Sequence, residues 1–261
     1  MFLALDIGNS ATKIGLHNGS AWTRIERLSQ DGETRSGQLH SSPRPERRKL
    51  ADGVRTLLQG VSAETAGIAS VVPDLTVQAS EAIREQLGID PVVISAALPL
   101  PFEMGYKTPE TLGADRLAAA VAAWLHFGQS DDRPVIVVDA GTAVTTEVIS
   151  AAGVYLGGAI APGPDAIRRA LVRDTAKLPN ISWPDAPEAI GSSTHAAISA
   201  GVSAMFLHGV QGLLERSAGQ LKGTPFIVAT GGWAEWLNRH LDIIDLVEPN
   251  LVLDGVRLLV T

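Results

Sequence analysis

The chain contains no cysteine, which removes disulfides, thiolate metal sites and cysteine nucleophiles and fits a reducing compartment. It also lacks any excess of basic charge. With 21 Lys and Arg against 28 Asp and Glu the net charge is −7, so neither nucleic acid nor an anionic membrane is an expected partner. Met1 to Leu5 has no basic start and Asp6 interrupts its apolar run, unlike a secretory signal. No apolar segment is expected to reach the length that spans a bilayer. These absences predict a cytoplasmic protein and make Asn180-Ile181-Ser182 a chance sequon.

Several catalytic signatures are missing too. The six histidines, His17, His40, His126, His195, His208 and His240, show no metal-ligand spacing. There is no Gly-x-Ser-x-Gly elbow, no Walker A sequence and no Gly-x-Gly-x-x-Gly. What remains is a chain of 261 residues, 45% hydrophobic and 19% charged, the composition of a globular protein with a substantial core.

Two stretches organise that chain. The apolar run Val135 to Val138 enters Asp139-Ala140-Gly141-Thr142 and leaves through Ala143-Val144-Thr145, which reads as a tight strand-turn-strand corner. Near the N-terminus, Phe2 to Leu5 leads into Asp6-Ile7-Gly8-Asn9-Ser10 and then Ala11-Thr12-Lys13. A glycine after an apolar strand lets the backbone approach a ligand, and the following hydroxyl and N–H groups can donate to phosphate oxygens. The aspartate at each strand end is an oxygen ligand for a hard cation, and Lys13 adds a positive charge. Asp-x-Gly alone is also ordinary turn punctuation. The repetition, each copy after an apolar strand and before a hydroxyl, favours two related halves facing one ligand.

In chain order the pattern predicts strands over 2–7, 12–16 and 21–25 with a hairpin at Asn18-Gly19. A polar Ser-, Gly- and Pro-rich connection follows over 28–45, then a helix over 45–58 whose Arg44, Arg47, Arg48 and Lys49 read as a solvated start. Next come a strand at 67–72, a helix over 76–87 capped by Asp74, and a strand at 92–95. The Pro-rich stretch 98–102 marks the boundary between the halves, dividing the chain into domains 1–105 and 106–261. Gly113-Ala114-Asp115-Arg116 then opens an Ala-rich helix, where Asp115 reads equally as a helix-start acid favoured by the dipole or as a functional carboxylate. After the second corner, a third strand over 154–160 and the turn through Gly163 lead into a helix over 165–172. A loop over 174–191 follows, and Ser192-Ser193-Thr194 caps a long apolar-faced helix from His195 to Ser217. A strand over 226–229 ends in Thr230-Gly231-Gly232, where a nucleotide could meet backbone, before helices from Ala234 and over 251–259.

Taken together, Asp6 to Lys13, Gly113 to Arg116, Asp139 to Thr145, Gly157 to Gly163, Thr194 and Thr230-Gly231-Gly232 resemble the acetate and sugar kinase/Hsp70/actin superfamily and, within it, the type III pantothenate kinases. The two corners mark the superfamily, and Gly113-Ala114-Asp115-Arg116 makes the likeness specific. The resemblance implies an α/β fold of two ribonuclease H-like halves around an interdomain cleft, with ATP held between them. It implies ATP-dependent phosphorylation of pantothenate to 4'-phosphopantothenate, the first step towards coenzyme A.

By the same resemblance Asp6, Ile7, Gly8, Asn9, Ser10, Ala11, Thr12 and Lys13 form the first phosphate loop, and Thr142 and Gly231 contact ATP. Asp115 accepts the proton, within a substrate site of Gly113, Ala114, Asp115, Arg116, Tyr106 and Thr194. Asp139 binds potassium or ammonium, magnesium arrives with ATP on the Asp6 side, and the working unit is a homodimer. Ser10, where Thr is also usual in the family, keeps the hydroxyl. The alternatives are a kinase for another small hydroxyl substrate and a nucleotide-binding regulatory protein without turnover.

Overall fold

In the computed structural model, residues 1–29, 48–186 and 188–261 are described. Of the connection expected over 28–45, Leu28 and Ser29 continue a strand and the rest falls outside them, as do the helix-start cations Arg44 and Arg47 and the side chains of Arg48 and Lys49. The first part of the chain builds β1 (Phe2–Ile7), β2 (Ala11–His17), β3 (Trp22–Ser29), α1 (Arg48–Leu58), β4 (Thr65–Ser70), α2 (Pro73–Leu87) and β5 (Val92–Val93). The remainder builds β6 (Glu103–Met104), α3 (Ala114–Phe127), β7 (Val135–Ala140), β8 (Ala143–Ile149), β9 (Val154–Gly157), β10 (Ile160–Pro162) and α4 (Pro164–Asp174). After these come α5 (Thr194–Ala218), β11 (Phe226–Thr230), α6 (Ala234–Asn238), β12 (Leu246–Val247) and α7 (Leu251–Val260).

One strand pattern occurs twice. The first sheet has the order β3-β2-β1-β4-β5, in which β1, β2 and β3 form an antiparallel meander and β4 and β5 run parallel to β1. The second contains β9-β8-β7-β11-β12 with the same directions, extended by β6 beside β9, while β10 folds back onto β8. This is the duplicated ribonuclease H-like fold expected from the sequence.

In both sheets the central strands are buried along nearly their whole length, as strands covered on two faces must be. Leu3, Leu5, Ile7 and Ile68 of the first sheet join Val54, Leu57 and Leu58 of α1 and Ala79 and Ile83 of α2 in one core. The other face is covered by α7, whose Val256 and Val260 lie over Gly67 of β4. In the second sheet Ile136, Val138, Val144, Ile227 and Ala229 meet Phe206, Val210 and Leu214 of α5 and Trp236 and Leu237 of α6.

The chain divides into two compact units that are not consecutive in sequence. Unit 1 comprises Met1–Pro101, Lys107–Ala122 and Asn250–Thr261, and unit 2 comprises Phe102–Tyr106 and Ala123–Pro249. Segments are thus exchanged across position 105/106: α7 and the first part of α3 belong to unit 1. Within that unit α3 and α7 touch backbone to backbone, since a Cβ on Gly255 would lie 1.8 Å from Ala118 O.

Several expected boundaries shift for physical reasons. Pro73 occupies the first position of α2, so the helix starts before Asp74, which sits in its first turn; Val72 is the cap residue. Ser193 alone caps α5, its Oγ accepting from the Ala196 N–H at 3.2 Å, and Thr194 is already helical. The strand expected over 154–160 is two strands, because the chain leaves β9 at Gly157 and re-pairs as β10. By length and composition α5, at 25 residues and mean hydropathy 1.4, is long and apolar enough to cross a bilayer. That differs from the expectation of no such segment, because Gly, Ser, His and Gln interrupt its apolar run while adding few charges. Its buried residues, among them Ile198, Val202, Phe206, Val210 and Leu214, are those of a helix packed on a core.

Candidate active site

In unit 1, β1 and β2 meet at the turn Gly8–Ser10, where the Gly8 N–H donates to Ala11 O at 3.1 Å. The register pairs Asp6 with Lys13 and Ile7 with Thr12. Opposed residues share a face of the sheet. Ile7 and Thr12 accordingly turn inward, both fully buried, with Thr12 Oγ1 lacking a hydrogen-bond partner. Asp6 and Lys13 lie on the other face, partly exposed, and Asn9 and Ser10 are exposed at the turn.

The segment Gly113 to Arg116 opens α3, with Gly113 O accepting from the Leu117 N–H at 3.0 Å. Asp115 is half-buried and its Oδ1 accepts from the Arg116 N–H at 2.8 Å, while Arg116 is buried. A Cβ at position 113 would come within 2.5 Å of Asp115 Oδ1 and 3.5 Å of Val71 Cγ1. The Val71 N–H in turn donates to Ile7 O at 3.1 Å. The start of α3 thus lies near Val71, the residue that hydrogen-bonds the carboxyl end of β1, where the first corner begins. The glycine leaves room for the Asp115 carboxylate in that position.

In unit 2 the second corner is drawn tighter, with the Gly141 N–H donating to Ala143 O at 2.9 Å. Asp139 lies opposite Thr145 of β8 and Thr230 of β11. Beyond Thr230 the chain turns at Gly231, whose φ is 90°, and the Trp233 N–H returns to Ala140 O at 2.9 Å. A Cβ on Gly231 would lie 2.4 Å from Asp139 Oδ1, and a left-handed φ already disfavours any L side chain. From the other direction comes the start of α4, where the Gly163 N–H donates to Thr142 O at 3.2 Å. A Cβ there would lie 2.3 Å from Gly141 O. Three backbone segments therefore converge around the Asp139 carboxylate and the exposed Thr142, with glycine at each contact. Helix starts and close-packed backbone of this kind suit phosphate oxygens.

Tyr106 and Thr194 are both in unit 2. Tyr106, half-buried, meets Tyr155 edge-on with ring centroids 6.0 Å apart. Thr194 is exposed at the start of α5, on the rim of a largely apolar pocket of about 810 Å³ between α4 and α5. No group of three or more His, Asp or Glu that could hold a metal exists among the described residues. Asp6 and Asp139 stand at the two corners as single carboxylates, oxygen donors of the kind hard cations take.

A family model described as type III pantothenate kinase matches residues 2–216. A type III pantothenate kinase of Moorella thermoacetica is 36% identical over 267 residues, covering 99% of this chain and 98% of its own. The chain belongs to the type III pantothenate kinase family. Solved structures agree on the fold. A Baf family protein from Campylobacter jejuni aligns with TM-score 0.59 at 20% identity, over 98% of this chain and 96% of that one. A ROK family glucokinase from Streptomyces griseus, solved with glucose and AMPPNP, aligns with TM-score 0.54 at 12% identity, over 99% and 98%.

Family membership gives the two corners and the start of α3 their context. Two features escaped the sequence reading. The close approach of Gly163 to the second corner had only the Pro162-Gly163-Pro164 run as its signal. The burial of Glu147, which is 1% exposed in β8, was signalled by a lone acid in a strand otherwise of Ala, Val, Ile and Thr.

Proposed function

We propose that this chain is an ATP-dependent kinase that phosphorylates the terminal hydroxyl of pantothenate, giving 4'-phosphopantothenate and ADP. The observation that carries the reading is the Asp115 carboxylate at the start of α3, in a segment that lies near Val71 at the carboxyl end of the strand bearing the first Asp-x-Gly corner. A family of pantothenate kinases with that carboxylate in place accounts for the substrate and the reaction together.

In this reading the backbone of Asp6 to Lys13 receives phosphate oxygens of ATP, with Ser10 and Lys13 adding a hydroxyl and a positive charge. Thr12 contributes through its main chain, since its side chain is buried. Thr142 and the Gly231 turn contact ATP in unit 2. Gly113, Ala114, Arg116, Tyr106 and Thr194 line the pantothenate site, where Arg116 offsets the charge of Asp115 or holds the substrate carboxylate. The hydroxyl oxygen of pantothenate attacks the γ-phosphorus, the bond to the β–γ bridging oxygen breaks, and the proton passes to Asp115. Acceptance is late, once the oxygen has become acidic. Catalysis otherwise rests on alignment and on neutralising the moving phosphoryl group.

Asp139 would hold potassium or ammonium and Asp6 would face the magnesium that accompanies ATP; both cations supply positive charge beside the phosphates. The acting unit is a homodimer formed through the exposed side of α5, where Met205 is 69% exposed, in a cytoplasmic setting without nucleic-acid or membrane partners. Mass analysis of the products tests the substrate. A phosphorylated pantothenate that appears only with ATP supports the assignment, and ATP consumption with another small hydroxyl compound but not with pantothenate overturns it.

A further inference from the structure

Tyr106 does not stand alone in unit 2. The Tyr155 ring lies between two residues of one short segment: Phe102 stacks on it at 5.7 Å and 20°, and Tyr106 meets it edge-on at 6.0 Å and 73°. That segment is fixed to β9 by backbone as well. β6 pairs with β9 through Met104 and Tyr155, and the Gly105 N–H donates to Tyr155 O at 3.0 Å. Tyr155 is fully buried, and its hydroxyl donates to Glu147 Oε2 at 2.5 Å; Glu147 itself is 1% exposed.

A second contact reaches Tyr106 from β9. The pairing of β8 with β9 slips between Val148 and Ile149, so that Gly157 faces Val148 while Tyr155 faces Ile149. Gly157 takes φ 102° at this irregularity, and a Cβ there would lie 3.0 Å from Tyr106 Cδ2 and 3.2 Å from Cε2. The Tyr106 ring is thus bounded by the Tyr155 edge and the bare Gly157 backbone.

Burying a carboxylate is costly, and Phe at 155 would fill the same volume. What the hydroxyl and the carboxylate add is an anchor for the far end of the Tyr155 ring, because the hydrogen bond holds the phenol oxygen at a fixed point between the rings of Phe102 and Tyr106 and the β8 strand. We propose that Glu147 and Tyr155 are positioning residues that set the Tyr106 ring at the pantothenate site, so that they govern how pantothenate is held without touching it. This rests on the assignment of Tyr106 to that site.

Steady-state kinetics on the full-length chain test it. Tyr155→Phe raises KM for pantothenate about two- to tenfold, the span of one hydrogen bond's net contribution, with KM for ATP and kcat held within about twofold of wild type. Glu147→Gln keeps an acceptor oxygen and leaves KM for pantothenate near wild type, whereas Glu147→Leu matches Tyr155→Phe. In a Tyr106→Ala background Tyr155→Phe adds nothing further. A purely structural pair lowers the melting temperature while leaving both KM values unchanged, which overturns the proposal. So does a Tyr155→Phe effect that is equal on the two substrates. If Tyr106→Ala raises KM for pantothenate and Tyr155→Phe does not, only the positioning role falls. If Tyr106→Ala changes neither KM, the placement of Tyr106 in the substrate site falls first.

Discussion

Gly231 turns directly over Asp139: the two sit at the ends of neighbouring parallel strands, and a Cβ on the glycine would lie 2.4 Å from the carboxylate oxygen. No side chain can be added there without moving Asp139 or opening the turn, and φ of 90° adds strain of order 1–3 kcal/mol for any L residue. Gly231→Ala is therefore expected to lower kcat/KM for ATP by about tenfold or more. Thermal unfolding should shift down by a few degrees as well, since strain of that size lowers the stability of the folded state. Unchanged ATP kinetics in this variant would separate the Gly231 turn from nucleotide binding.

The His17 imidazole is held below its ordinary value, chiefly by burial and secondly by Arg257, with Asp254 pulling the other way. Its Nδ1 accepts from the Gly19 N–H at 3.0 Å, and it meets Trp22, whose Nε1 donates to Asp254 Oδ1 of α7 at 2.9 Å. A lowered pKa means the unfolded chain binds more protons between the folded value and about 6.5. The stability from neutral His17 is therefore complete above about pH 6.5 and is lost as pH falls below it. Melting temperatures of wild type and His17→Gln between pH 5 and 8 check this: the wild-type curve should fall more steeply below pH 6.5. Parallel curves would contradict it.

Met205 is 69% exposed on α5 beside the apolar pocket rimmed by Thr194. If α5 joins two copies, Met205→Glu buries a charge from each copy in the interface and shifts the protein from dimer to monomer in sedimentation experiments at micromolar concentration. A wild-type chain that sediments as a monomer would remove α5 as the interface, as would a variant dimer of undiminished affinity.

The legible parts of this protein were those whose chemistry is local. Asp6-Ile7-Gly8 and Asp139-Ala140-Gly141 announce a strand, a stop and a turn within a few residues, and both corners fold that way. Asp115 could be placed at a helix start because the Ala-rich run after it has no competing pattern. What escaped depends on pairing across distance. The two-residue strand β6 exists because it lies against β9, and the slip beside Leu156 that brings Gly157 to Tyr106 belongs to the β8–β9 register. The membership of α7 in unit 1 follows from the meeting of Gly255 and Ala118, more than a hundred residues apart.

The most direct test is ADP release by the purified chain with ATP, magnesium and pantothenate, in potassium against sodium, for wild type and Asp115→Asn. Turnover that requires pantothenate and potassium and falls about 10²- to 10⁴-fold in the variant, the usual contribution of a general base, is the predicted result. A variant as active as wild type would remove Asp115 as the proton acceptor, and ADP release indifferent to pantothenate would contradict the proposed reaction itself.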